Sequence, residues 1–128
     1  MSALVVDTSI WIAFFRGGEL PRLEQALRDG DVVLAPIVAA ELMSAPLGRS
    51  ERRDLEAFLR DLPLHPTPIE HWLRVGELRA AAARKGVTLS TPDAHVAQVA
   101  LDLNGAVWSG NAVFSRLAAK ALVRAFAP

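Results

Sequence analysis

Ala3-Leu4-Val5-Val6-Asp7-Thr8-Ser9 is the stretch from which the rest of the chain is read. Ala3 to Val6 is apolar without alternation, as in a strand covered on both faces at the centre of a parallel sheet. Asp7 ends it, and Thr8 or Ser9 is positioned to cap a short helix over Ser9 to Phe15. Working outward, helical periodicity over Leu20 to Arg28 is followed by the turn Gly30-Asp31 and a second apolar strand, Val32 to Ala35. Pro36 opens a helix to about Ser44, where its missing N–H costs nothing. Pro46-Leu47-Gly48 breaks the chain before a helix over Glu51 to Leu62. Leu64 to Thr67 reads as a short strand weakened by Pro63, Pro66 and Pro68. A long helix follows from Glu70 to Lys85, ended by Gly86. Thr91-Pro92-Asp93 reads as cap, first-turn proline and first-turn acid of a helix to about Leu103. Ala106 to Trp108 is a strand, Asn111 to Ala119 a last helix, and Ala121 to Phe126 an edge strand or a tail.

Strand and helix in alternation predict an α/β fold: a three-layer α/β/α sandwich around a central, mainly parallel sheet of four or five strands. The 128 residues are expected to form a single domain over 1–128. Without cysteine there are no disulfides, thiolate metal sites or thiol nucleophiles, which suits the cytoplasm. No apolar run approaches the ~20 residues needed to span a bilayer, and the N-terminus lacks the pattern of a secretory signal. Fourteen basic residues balance fourteen acidic ones, so any grip on nucleic acid has to come from a local patch.

Ligands of such a sheet bind at the carboxyl ends of its strands, near a reversal in strand order. Four polar residues fall there. Asp7 ends the first strand, and Glu41 lies in the helix after the second. Asp93 lies in the first turn of a later helix, and Asn111 opens the helix after the last strand. Each alone has a plain structural reading: turn, solvated edge of a stripe, dipole partner, turn. Glu41 stands out among Val38, Ala39, Ala40, Leu42 and Met43, because a carboxylate on a buried helix face is costly unless paired. Together, carboxylates gathered at one point repel unless a cation sits among them. Oxygen donors without Cys or His favour a hard cation, Mg²⁺ or Mn²⁺. Such an ion at a cluster of acids equips a site for attack on a phosphodiester.

These residues, in this order, resemble the motifs of the PIN-domain ribonucleases, and most nearly the VapC-type toxins of type II toxin–antitoxin pairs. The motifs are Val5-Val6-Asp7-Thr8-Ser9, Ala40-Glu41-Leu42, Thr91-Pro92-Asp93-Ala94 and Ser109-Gly110-Asn111 with Phe114 beyond. The resemblance implies a PIN-like sandwich and a metal-dependent endoribonuclease. Asp7, Glu41 and Asp93 would hold Mg²⁺ or Mn²⁺, Asn111 would complete the catalytic set, and Thr8, Ser9 and Ser109 would support it. It further implies an RNA substrate, a homodimer and inhibition by a VapB-type antitoxin. Asn111 stands where the family often has a fourth acid, and Val113 where it often has a further Asp. Those departures leave an alternative open, a PIN-fold module that binds RNA or antitoxin without cutting.

Among the remaining residues, Arg116, Arg49 and Arg53 are the candidates for phosphate, with Arg52 beside the latter two. His95 follows Asp93 by two residues, a spacing that turns it away, so no metal role is expected. His65 and His71, flanking prolines and a helix start, are expected at the surface. Trp11, Phe14 and Phe15 crowd one short helix, where one face is expected to pack in the core; core packing alone accounts for all three, and a subunit interface or antitoxin groove for the remainder is the alternative.

Overall fold

The computed structural model describes residues 2–128. Its sheet has three parallel strands in the order β2-β1-β3, with β1 (Leu4–Val6) between β2 (Val32–Val33) and β3 (Ala106–Trp108). Leu4 pairs with both Val32 and Ala106, and Val6 lies opposite Trp108. Single parallel bridges extend the sheet at both edges, Leu34 to Leu64 and Val107 to Ala125. Counting those edges, five chain segments lie side by side. The expected segments at Leu64–Thr67 and Ala121–Phe126 each contribute one bridge and no full strand. Prolines at 63, 66 and 68 strip the first of the N–H groups a ladder needs.

Around the sheet lie α1 (Thr8–Phe15), α2 (Pro21–Asp29), α3 (Pro36–Met43), α4 (Arg49–Arg60), α5 (Ile69–Arg84), α6 (Thr91–Asp102) and α7 (Ala112–Ala119). The connection from β1 to β2 steps one way along the sheet, and the connection from β2 to β3 steps back across β1. Parallel crossovers are right-handed, so α2 and α6 cover opposite faces. This explains why every residue of β1 is buried and why its sequence does not alternate. α6 is buried without interruption from Ala94 to Ala100. Its Ala-rich face lets the helix approach β1 and β3 closely. Gly105 is needed where the chain enters β3, because a Cβ there would collide with the Ala3 carbonyl.

α1 presents Trp11 to the core at 1% exposure, while Phe15 stacks on that indole and stays 45% exposed. Phe58 of α4 meets both rings edge-on, at 5.4 Å from each centroid. One face of the aromatic helix is thus core, and a remainder is open. Two predicted helix starts shift. Asp7, not Thr8 or Ser9, is the N-cap residue of α1, and Ser90, not Thr91, caps α6. Ser90 Oγ accepts the Asp93 N–H at 3.2 Å, which makes Pro92 the second helical residue.

Candidate functional site

Asp7 is placed by β1, whose last pairing brings the Asp7 N–H to the Trp108 carbonyl at 2.9 Å. A carboxylate at an N-cap position normally turns back to the helix N–H groups, but this one makes no capping bond. It is 8% exposed, and its Oδ2 accepts the Ser109 hydroxyl at 2.6 Å. Ser109 Oγ accepts in turn from the Asn111 N–H at 2.9 Å. Ser9 Oγ accepts from the Gly110 N–H, also at 2.9 Å. Two of these hydrogen bonds fasten the loop after β3 to the residues that follow β1, and the third braces the loop itself.

Asn111 caps α7 through Oδ1, which accepts the Val113 N–H at 3.1 Å. That bond directs its amide nitrogen towards Asp93 Oδ2, 3.5 Å away. Asp93 itself stands in the first turn of α6. Burial, with the nearby Asp7 charge adding to it, raises its pKa above the usual carboxylate value against the Ser90 hydrogen bond. Asp7 is thus near enough to disfavour the charge of Asp93, although 86 residues of sequence separate them.

Glu41 differs from expectation. It is exposed, not buried on an apolar face, because Val38 and Leu42 take the inward side of α3. Its carboxylate is nonetheless tied inward, since Thr8 Oγ1 donates to Oε1 at 2.9 Å. Thr8 therefore links the residue after Asp7 directly to Glu41. The seven residues Asp7, Thr8, Ser9, Glu41, Asp93, Ser109 and Asn111 form one chain of neighbours from four elements. The acids are not tightly clustered. Among the described residues, only His65, His71 and Asp102 bring three ligand atoms within 4.8 Å of one another. Looser spacing suits Mg²⁺, which retains several waters and is held by one or two carboxylates directly. All donors are oxygen or amide, and Asp93 already resists ionising beside Asp7. That set fits a hard divalent cation.

Val113, where a further acid was sought, is 4% exposed and packed in the core. Its side chain cannot serve the site. Arg49, Arg53 and Arg116 are exposed. Arg52 is committed elsewhere, its guanidinium donating to the carbonyls of Met43 at 2.9 Å and Ala45 at 3.2 Å. It ties down the end of α3.

The PIN domain family matches residues 4–120. The chain belongs to the PIN domain family. The PIN fold is also that of VapBC from Salmonella typhimurium, solved bound to DNA, with a TM-score of 0.79 and 20% identity over 98% of both chains. VapBC2 from Rickettsia felis, bound to a DNA fragment from its promoter, superposes with a TM-score of 0.74. It is 22% identical over 89% of this chain and 92% of that one. VapBC-5 from Mycobacterium tuberculosis gives 0.64, with 24% identity over 91% of each. No curated protein sequence matches the chain. At these identities the solved structures establish the PIN fold of this chain and nothing finer. Among the described residues no helix is long and apolar enough to cross a membrane.

A second polar cluster was missed by sequence reasoning. His71 was expected at the surface but has no exposed side chain, and the His65 side chain keeps only 12% exposure. Both are drawn in by Asp102, the last residue of α6, as the first turn of α5 packs against it. His71 Nδ1 lies 2.8 Å and His65 Nε2 3.2 Å from Asp102 Oδ2. Gln98 Nε2 and Arg74 Nε donate to Oδ1 at 2.8 and 3.0 Å, and Arg74 Nη2 donates to Oδ2 at 3.1 Å. Burial alone would raise the Asp102 pKa, but the hydrogen bonds from Arg74, His71, Gln98 and His65 together hold it well below the usual range. His95 is fully buried beside them, with Nδ1 at 2.7 Å from His71 Nε2 and Nε2 without a partner among the described residues. Burial, and after it repulsion from His71 and His65, lowers its pKa to about 4. No long-range pairing of this kind leaves a periodic signal; the one available clue was two histidines beside a helix start and a third on the facing helix.

Proposed function

We propose that this PIN domain is a Mg²⁺- or Mn²⁺-dependent endoribonuclease and the toxin of a type II toxin–antitoxin pair. The observation that carries the reading is the set of neighbours around Asp7. A strand-end carboxylate is left uncapped and held by Ser109, with Asp93, Asn111 and the Thr8–Glu41 pair beside it. Membership of the PIN family and the likeness to VapBC structures support it.

Asp7, Glu41 and Asp93 would hold the cation. Bound there, it would polarise the scissile phosphate and ease deprotonation of the attacking water. The chain's own residues supply orientation. Ser109 fixes the rotamer of Asp7 by donating to Oδ2, which leaves Oδ1 for a ligand. Thr8 does the same for Glu41 through Oε1. Asn111, neutral where a fourth acid would add charge, steadies Asp93 without adding to its repulsion. Arg116, Arg49 and Arg53 would contact phosphates of the RNA. Phe15 and its aromatic neighbours form an open apolar surface suited to a VapB-type antitoxin or to the second copy in a homodimer.

The test is incubation of total bacterial RNA with antitoxin-free protein, with Mn²⁺, with EDTA, and with Asp93→Asn in place of the wild type. Discrete fragments confined to the wild-type Mn²⁺ lane are expected. Absence of cleavage from folded protein in every lane would overturn the reading and favour a module that binds without cutting.

A further inference from the structure

We propose that His65, His71 and Asp102 form a second divalent-cation site, selective for a borderline ion such as Zn²⁺ and separate from the carboxylate centre. The three ligands come from the edge segment after the Leu34–Leu64 bridge, the first turn of α5 and the last residue of α6. Asp102 lies nine residues beyond Asp93 on α6, about 14 Å along the axis, so the two sites occupy opposite ends of one helix.

The geometry is that of ligands converging on one point. The nearest imidazole nitrogens lie 2.8 and 3.2 Å from Asp102 Oδ2, and all three ligand atoms lie within 4.8 Å of one another. Two ligands of one tetrahedral Zn²⁺, each at about 2.0–2.1 Å, stand roughly 3.3 Å apart, so small movements admit the ion. The surroundings already orient the ligands. Gln98 and Arg74 Nε hold Oδ1, which turns Oδ2 towards the two histidines. His95 holds the far nitrogen of His71 at 2.7 Å. Metal binding would displace the Nδ1 proton that His71 donates to Asp102, and the tautomer with the proton on Nε2, facing His95 Nδ1, would leave the Nδ1 lone pair for the ion. Partners of this kind on the outer nitrogen and outer oxygen are the usual support of a bound metal. Two imidazoles and one carboxylate favour Zn²⁺ over Mg²⁺, the reverse of the preference at Asp7, Glu41 and Asp93.

Arg74 is the competitor. Its Nη2 donates to Oδ2 at 3.1 Å, and its side chain is 44% exposed, free to swing outward when a cation takes that oxygen. Water supplies the fourth ligand through the partly open His65 side. Loaded, the site would clamp the sheet edge to the α5–α6 pair.

The experiment is a titration of untagged, metal-free protein with Co²⁺, a spectroscopic stand-in for Zn²⁺. One equivalent is expected to develop intense visible bands of a four-coordinate ion, displaced by one equivalent of Zn²⁺. His65→Gln, the ligand whose side chain keeps some exposure, should weaken binding at least ~10-fold with an unchanged far-ultraviolet spectrum. Arg74→Gln should tighten it, and Asp93→Asn should leave it unchanged. Absence of bands in the wild type, bands undiminished in His65→Gln, or bands lost in Asp93→Asn would overturn the proposal. Unaltered affinity in Arg74→Gln would show that ion and guanidinium do not share Oδ2, and would overturn it equally. None of these readings depends on RNA cleavage, so the site stands or falls apart from the nuclease.

Discussion

At the scale of single residues, Asp93 is a carboxylate whose charge the fold tolerates poorly. Its pKa is raised by burial and by Asp7, so in the metal-free protein its ionised form costs stability. The native state therefore holds that proton more tightly than the unfolded chain, and stability falls as pH rises through the carboxylate range. Asp93→Asn removes the cost and is expected to stabilise the metal-free protein at neutral pH, seen as a higher melting temperature in EDTA. The same substitution should cut RNA cleavage at least ~100-fold, as should Asp7→Asn and Glu41→Gln. A rise in stability with a fall in activity is the signature of a residue kept for chemistry. Asn111→Ala should behave oppositely in stability. It removes the cap bond to Val113, at a cost of about 1 kcal/mol, and lowers cleavage only ~10-fold.

At the scale of elements, the site is a matter of what joins to what. Gly105 lets β3 enter beside β1, and Gly105→Ala forces a methyl into the Ala3 carbonyl. We expect that variant to lose roughly 2–3 kcal/mol in urea unfolding, and to lose cleavage with it, because Ser109 and Asn111 ride on β3. Ser109→Ala should leave the strand intact and reduce cleavage ~10–100-fold, since it frees Asp7 Oδ2. The elements themselves were legible because local rules govern them. The unbroken Ala3–Val6 run named the central strand, Pro36 named a helix start, and the acid at the end of β1 pointed to the candidate site. What stayed illegible depended on contacts distant in sequence. Glu41 looked buried because its neighbours are apolar, but helical rotation puts Val38 and Leu42 inside and Glu41 out. His65 and His71 looked like surface residues because nothing local announces that Asp102 will receive them. Cap positions slipped by a residue, as at Ser90, where two hydroxyl residues stand side by side and only backbone geometry chooses between them.

At the scale of the whole molecule, the balance of fourteen basic and fourteen acidic residues excludes a global electrostatic grip on RNA. On the proposed function, affinity would rest on a few arginines, and the salt dependence of binding should be shallow. Arg116→Ala is expected to weaken RNA binding and to flatten the slope of log affinity against log salt by about 0.7, the share of one phosphate contact on a single strand. The larger claim is that β1, α3 and α6 bring three acids, far apart in the chain, to one cation. It is tested most directly by Mn²⁺ binding to the metal-free protein, followed by the loss of the free-ion electron paramagnetic resonance signal, for wild type and Asp7→Asn in parallel. The account predicts that the wild type takes up Mn²⁺ and that Asp7→Asn binds it at least ~10-fold more weakly. Equal uptake by the two proteins, or none by either, would contradict it.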